Sequence, residues 1–512
     1  MRLLAVLFFS LSSVLLVGTA EAADLDANPD NLGTVLDGVM PGDVVHLAAG
    51  RYVDPIYLDL ANGTAAAPIV IEGPTSGEAV FVADPRVCCN IFEIRDSSFV
   101  TLRNLVFDGA SIDGVFGISA GGGDADGDGR NLTHDITIED CRFVGFGGSN
   151  NHDAISTKTP TWGWIVRRNL FDAPGIGIYF GNSTGEAPFI GGRIEHNVFL
   201  DCLGYCMQIK WQLPRPTDYP GMPTGPSTTV IADNVFVHGD LPAEPRPNLL
   251  VGGFPMTGPG SDDRYEIARN LFVHNTVEPL LQASGSVSIH DNVFVDGSTS
   301  APALLLRNHD LPLRRAWVYG NTFYTAGTAI SVGVGDRGTS LVGNAIFAPT
   351  PVTGTFDVDT ANLRGSVAEA AAAFVRPSMS FGTMDFHPTS ALPGIDLSAF
   401  GEDTLDGVDF ECRPRAAPVY AGAYEGAASA RTWNLAREEK PDLCGTEPLP
   451  DGGMRLDGGP TLDGSMARDA AGTDAGPPVA GAGCGCRASR AGGIAPWALG
   501  LIALLVVTRR RR

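Results

Sequence analysis

Short stretches of alternating apolar and polar residues fill the middle of the chain, and one phrase keeps returning within them. A β-branched strand is followed by Asn-x-Phe and then by a turn carrying Gly or Asp. The phrase stands at Asn169-Leu170-Phe171, Asn197-Val198-Phe199, Asn234-Val235-Phe236, Asn270-Leu271-Phe272, Asn292-Val293-Phe294 and Asn321-Thr322-Phe323. Weaker copies are Asn104-Leu105-Val106-Phe107, Cys141-Arg142-Phe143 and Asn344-Ala345-Ile346. The clear copies are 22 to 37 residues apart, a period that means a solenoid. The shortest interval holds three short strands and three turns, and the longer ones absorb loops. Coils stack at about 4.8 Å, the strand spacing within a sheet. Each Phe then points inward onto its copies. Each Asn sits at a turn, where its amide can bond along the stack and where it tolerates the left-handed conformation. One coil has no core, and stacking buries a continuous one. The pattern predicts an all-β right-handed parallel β-helix over residues 23–446.

A second strand accompanies each phrase, and its copies can be laid side by side: Gly117-Ile118-Ser119-Ala120-Gly121, Ala154-Ile155-Ser156-Thr157-Lys158, Gly177-Ile178-Tyr179-Phe180-Gly181 and Cys206-Met207-Gln208-Ile209-Lys210. Asn248-Leu249-Leu250-Val251-Gly252, Pro279-Leu280-Leu281-Gln282 and Ala303-Leu304-Leu305-Leu306-Arg307 continue the series. Strand side chains alternate faces. With Ile155, Ile178, Met207, Leu249 and Leu304 inward, one outer column reads Gly121, Lys158, Gly181, Lys210, Gly252, Gln282, Arg307. A second column holds Ser119, Ser156, Tyr179 and Gln208. Lys158 and Lys210 then stand two coils apart, about 10 Å along one face, with a glycine leaving room between them. Cations spaced along one face suit a polymer whose carboxylates repeat.

The ends change the picture. Arg2, the apolar residues 3–17 and the small-x-small run Ala20-Glu21-Ala22 read as a secretory signal, residues 1–22. Residues 447–482 are rich in Gly, Asp, Pro and Ala and cannot bury enough surface to fold, so they read as an acidic linker. Residues 495–508 are apolar, and four arginines follow, Arg509 to Arg512. That arrangement predicts a short transmembrane segment with a cytoplasmic tail and an exterior body. With Gly483-Cys484-Gly485-Cys486-Arg487 before it, the stretch 483–512 resembles the MYXO-CTERM sorting signal of myxobacterial surface proteins. The resemblance implies a sorting protease as a partner and display on the cell surface or outer membrane.

A formal charge of −23 argues against nucleic acid as a partner. The nine cysteines include no CxxC pair, and export favours disulfides. Cys202 with Cys206 and Cys412 with Cys444 are candidate pairs, while Cys88 and Cys89 have no assignment. The chain reads as a monomer.

Gly42 to Tyr52 with Pro68-Ile69-Val70-Ile71-Glu72-Gly73-Pro74 looks like the opening coils of polysaccharide-acting, pectin lyase-like β-helix proteins. The run from Asp406-Gly407 to Tyr424-Glu425 looks like their closing coil. Asn151-His152-Asp153-Ala154-Ile155-Ser156-Thr157-Lys158, followed one coil on by Ile178-Tyr179-Phe180-Gly181-Asn182, resembles the chondroitinase B and alginate lyase family. The resemblance implies that Lys158 is the base abstracting the C5 proton of a uronate and that Asp153 is one calcium carboxylate. Asn151 stands where the family has a second carboxylate, and Tyr179 stands where it has an Arg. β-Elimination needs a base at C5, an acid at O4 and a partner for the carboxylate. Lys158, with its pKa lowered by Lys210, is the candidate base, and Tyr179 is the candidate acid. Lys210, Gln208, Gln282 or Arg307 would hold the carboxylate, and His152 and His309 are further proton carriers or substrate contacts. Asp124-Ala125-Asp126-Gly127-Asp128-Gly129, with Asp135 at the twelfth position, has the spacing of a calcium loop.

These features lead to a lyase acting on an acidic polysaccharide. A non-catalytic adhesin or carbohydrate-binding β-helix is the second reading. A uronan epimerase shares the lyase chemistry. A glycoside hydrolase ranks last, because Asp153 is the one carboxylate on the candidate face and two are needed.

Overall fold

The computed structural model describes residues 22–86, 90–121, 123–147, 152–240, 244–390, 392, 394–405, 407–415, 419–426 and 433–445. Residues 1–21 of the stretch read as a secretory signal, Cys88, Cys89, Asn151, and the stretches read as an acidic linker and a sorting signal lie outside the described residues. Among the described residues no helix is long and apolar enough to cross a membrane.

Three parallel sheets run side by side, and each takes one strand from every coil in chain order. The first runs from Asp24–Ala27 to Val358–Thr360, the second from Ile56–Asp59 to Thr350–Thr353, and the third from Gly50–Tyr52 to Leu363–Gly365. The repeating phrase forms the third sheet. Its aromatic rings stack from Tyr52 through Phe81, Phe107, Phe143, Phe171, Phe199, Phe236, Phe272 and Phe294 to Phe323, with centroids 4.5 to 5.3 Å apart. Each ring is buried on all sides by its own copies and by the inward aliphatics of the other two sheets. Full burial of such a side chain is worth roughly 1.5–3 kcal/mol.

Beside the rings runs a ladder of buried amides. Asn169 donates through Nδ2 to Oδ1 of Asn197, Asn197 to Asn234, Asn234 to Asn270, Asn270 to Asn292, Asn292 to Asn321, Asn321 to Asn344, and Asn344 to Asn362, at 2.9 to 3.0 Å. Each amide also donates to a backbone carbonyl, as Asn234 does to Ile194 and Ala232. A buried amide costs free energy unless it is bonded, and the repeat supplies every partner.

The left-handed residue is not the ladder Asn. It is the residue before that position: Asp140, Arg168, His196, Asp233, Arg269, Asp291, Gly320, Gly343 and Ala361 all have φ between 54° and 63°. The amide must lie along the stack to bond its copies, so the preceding residue makes the bend. Asn104 is such a bend residue, with φ 56°. Leu105, two before Phe107, therefore takes the ladder position, and Cys141 takes the next, donating its N–H to Asn169 Oδ1 at 2.9 Å.

The middle residue of the phrase faces outward and is still buried. Val198, Val235, Leu271 and Val293 are covered by Phe374, Phe386, Phe410, Trp433 and Leu435. The chain after Gly365 thus wraps back over the third sheet. Val419–Tyr420 pairs antiparallel with Gly394–Ile395, so the run ending at Glu425 is part of this wrap rather than a closing coil. Disulfides join Cys202 to Cys206 and Cys412 to Cys444.

Candidate functional site

The outer face of the second sheet carries the candidate site. Ser119 pairs with Ser156, Ser156 with Tyr179, Tyr179 with Gln208, Gln208 with Leu250, and Leu250 with Gln282. The adjoining column follows from the backbone bonds at the strand ends. The N–H of Lys158 meets Ala120 O, Lys210 meets Phe180 O, Gly252 meets Ile209 O, Ser284 meets Val251 O and Arg307 meets Ala283 O. Lys158, Gly181, Lys210, Gly252, Ser284 and Arg307 therefore share a column. Gln282 does not belong there, since its four-residue copy ends two positions early and Ser284 completes the register.

Lys158 is the best-formed element of this face. Its Nζ lies 3.1 Å from Asp153 Oδ2, 3.3 Å from the centre of the Tyr179 ring and 5.6 Å from that of Phe116. Its side chain keeps 34% of its exposure, whereas Asp153 keeps 3%. Burial pushes the lysine pKa down, and Asp153 opposes that. Lys210 is not the cause, contrary to the expectation from sequence. Burial likewise pushes the Asp153 carboxyl up, against the pull of Lys158. Tyr179 is pushed above the ordinary phenol range by burial first and then by Asp153 and Tyr205, so it stays protonated. Lys210 Nζ lies 5.5 Å from the centre of the same ring. Burial lowers its pKa, Asp310 raises it, and Lys158 and Arg246 lower it.

Other candidates are placed differently. Gln208 and Gln282 are each 2% exposed, so neither is available to a polymer. Gln282 instead accepts from Arg307 Nη2 at 3.2 Å. His152 is buried, with Nε2 2.8 Å from Asp113 Oδ1 and Nδ1 2.9 Å from Gly147 O. With both ring nitrogens engaged it pins a turn and carries no substrate proton. His309 is on a loop beside Asp310, 3.0 Å from its carboxylate.

The carboxylates proposed for calcium divide in the same way. Asp124, Asp126 and Asp128 can bring one oxygen each within 4.8 Å of one another. Asp128 is also held by Arg130, through Nε at 2.9 Å. Asp135 turns to His134 Nδ1 at 2.6 Å, and Asp153 belongs to Lys158. A twelve-residue calcium loop takes its twelfth ligand with the first three; Asp135 and Asp153 are not in the group that Asp124, Asp126 and Asp128 form.

Phe116, Tyr205, Arg246 and Asp310 were not singled out from sequence. Phe116 opens the strand one coil before Asp153, its register partner. Tyr205 lies inside the Cys202–Cys206 loop, with the Arg246 guanidinium 5.6 Å from its ring. The disulfide spacing was the one signal that pointed to Tyr205.

No protein-family model matches this sequence, and no curated protein matches it. Several solved structures do. An alginate lyase from Paenibacillus sp. strain FPU-7 is 15% identical, with 60% of this chain and 96% of that chain covered and a TM-score of 0.45. A pectate lyase is 12% identical, with 80% and 98% covered and a TM-score of 0.44. The A-module of an Azotobacter vinelandii mannuronan C-5 epimerase is 17% identical, with 66% and 98% covered and a TM-score of 0.42.

Proposed function

We propose that this chain is an exported, surface-displayed β-helix that acts on an acidic polysaccharide by β-elimination at the Lys158 face. The observation that carries the reading is the half-buried Lys158 amine, held against the face of Tyr179 and beside Asp153, with Lys210 two coils along the same column. Lowering a lysine's pKa raises the fraction that is neutral and able to act as a base. In the proposed step neutral Lys158 takes the C5 proton of a uronate. The C5–H electron pair forms the C4=C5 double bond as the C4–O4 bond breaks, and the Tyr179 hydroxyl protonates the departing O4. Lys210 neutralises the carboxylate as charge develops on it. The test is absorbance at the unsaturated-uronate band in digests of alginate, pectate and glycosaminoglycans. Lys158→Ala should abolish the signal, and an unchanged rate in that variant would refute the role of Lys158.

A second reading, a non-catalytic glycan-binding protein, draws on the ion pair itself. Asp153 favours the charged form of Lys158, and a permanent ammonium binds carboxylates without abstracting a proton. Retained oligouronate binding with no product from any polymer would favour it.

A further inference from the structure

A different wall of the solenoid carries a second set of paired cations. On the first sheet Thr228 pairs with Arg264, Tyr265 with Val287, and Ser286 with Arg315. Thr228, Arg264, Ser286 and Arg315 therefore occupy successive rungs of one outward column. Arg264 and Arg315 stand two coils apart, about 10 Å, with only a serine between them. They border a cavity of about 350 Å³ that also includes Arg337, Asp262 and Glu402 in its lining. That is the size of a small-ligand site.

The arginines are not equally committed. Arg264 is fixed: it binds Asp403 and the carbonyl of Glu402, and its Nε donates to Thr228 Oγ1 at 3.1 Å. Arg315 is held lightly. Its Nη1 lies 3.2 Å from Glu402 Oε2, and that glutamate side chain is 66% exposed. Its Nε is buried and has no partner among the described residues. Its guanidinium lies 4.0 Å over the Trp317 ring, which fixes its plane without using its donors. Arg337 is paired with Asp262 at 2.7 Å, and both are exposed. A buried guanidinium N–H without a partner is costly. An oxyanion that displaced Glu402 would satisfy it with the pair of acceptor oxygens that carboxylates and sulfates both offer.

We propose that this cavity is a second saccharide site, which takes an acidic sugar residue by its carboxylate or sulfate. Arg315 and Arg337 hold the oxyanion, Arg264 holds the floor, and the hydroxyls of Ser227 and Thr228 meet the sugar. The site is on another sheet from Lys158 and does not depend on that face being catalytic.

The experiment is calorimetric titration of the full chain with trigalacturonate, trimannuronate, neutral xylotriose and inorganic sulfate. A protein carrying Lys158→Ala and Lys210→Ala should retain one site for an acidic trisaccharide and none for xylotriose. Adding Arg315→Gln and Arg337→Gln should weaken that site about tenfold or more. Glu402→Gln alone should tighten it, because the competing carboxylate is gone, and a gain in affinity cannot come from misfolding. The proposal is overturned if the Lys158→Ala, Lys210→Ala protein binds neither trisaccharide, if the arginine substitutions leave binding unchanged, if Glu402→Gln weakens it, or if sulfate alone binds as tightly as the trisaccharides.

Discussion

The Lys158 ammonium lies 3.3 Å from the centre of the Tyr179 ring, closer to that ring than Lys210 is. The ring face and the hydroxyl of Tyr179 therefore have separable tasks. Tyr179→Phe keeps the face and should leave oligouronate binding nearly unchanged, but it should lower turnover about 10²-fold or more if the hydroxyl is the acid. Tyr179→Leu should weaken binding as well. Separate measurement of kcat and KM on the polymer that yields product tests this.

Burial depresses the Lys158 pKa, and the base works only when neutral. kcat/KM should therefore rise with pH and level off above the folded pKa of Lys158, below the ordinary lysine range. Asp153→Asn removes the group that raises this pKa, and it should shift the rising limb to lower pH. A limb that does not move would separate Asp153 from the titration of Lys158.

The wrap after Gly365 is latched by buried charges. His290 contacts Asp291 and Glu266, Glu266 accepts from Thr404, and Lys440 binds Asp233. Asp291 and Glu266 hold His290 up at about 9 against burial, which lowers it. Hydrogen bonds and charge from His290 and Thr404 hold Glu266 down at about 2, again against burial. A raised histidine contributes stability that is full below its unfolded value, about 6.5, and is lost as pH rises through about 9. A depressed glutamate contributes above its unfolded value and loses that contribution as pH falls through about 2. The melting temperature should therefore fall between neutral pH and about 9. His290→Gln should flatten that decline, as followed by thermal melts across the range.

The Cys412–Cys444 bond closes a loop with a sequence separation of 32 within the wrap. By loop-closure entropy, removing it should cost about 3–4 kcal/mol. Cys412→Ser with Cys444→Ser should open residues of the wrap to limited proteolysis before the coils, and denaturant unfolding should show the loss.

Cys141 occupies the amide ladder one rung before Asn169. Cys141→Asn should extend the ladder and raise stability by about 1 kcal/mol. Asn234→Leu, which removes side-chain bonds to Asn270, Ile194 and Ala232 and the Oδ1 to which Asn197 donates, should lower stability by several times that amount. Chemical denaturation of both variants checks the ordering.

The sequence by itself determined the coil. Asn-x-Phe returns at intervals that allow stacking alone, and a buried ring and a buried amide each find their partner in their own copies, so the phrase carries its geometry with it. It also determined that Lys158, Gly181 and Lys210 share a column, because five-residue copies ending alike must end in register. Tertiary structure decided the rest. Gln282 moved to the neighbouring column because strand register is set by backbone bonding, which a shortened copy does not reveal. Asp135 left Asp124, and His152 went inward to Asp113, because the path of a turn depends on what lies under it. The cover over Val198 and Val235, and the Arg264–Arg315 wall, arise where the chain after Gly365 folds back onto coils formed long before. Contacts of that separation leave no local period to read.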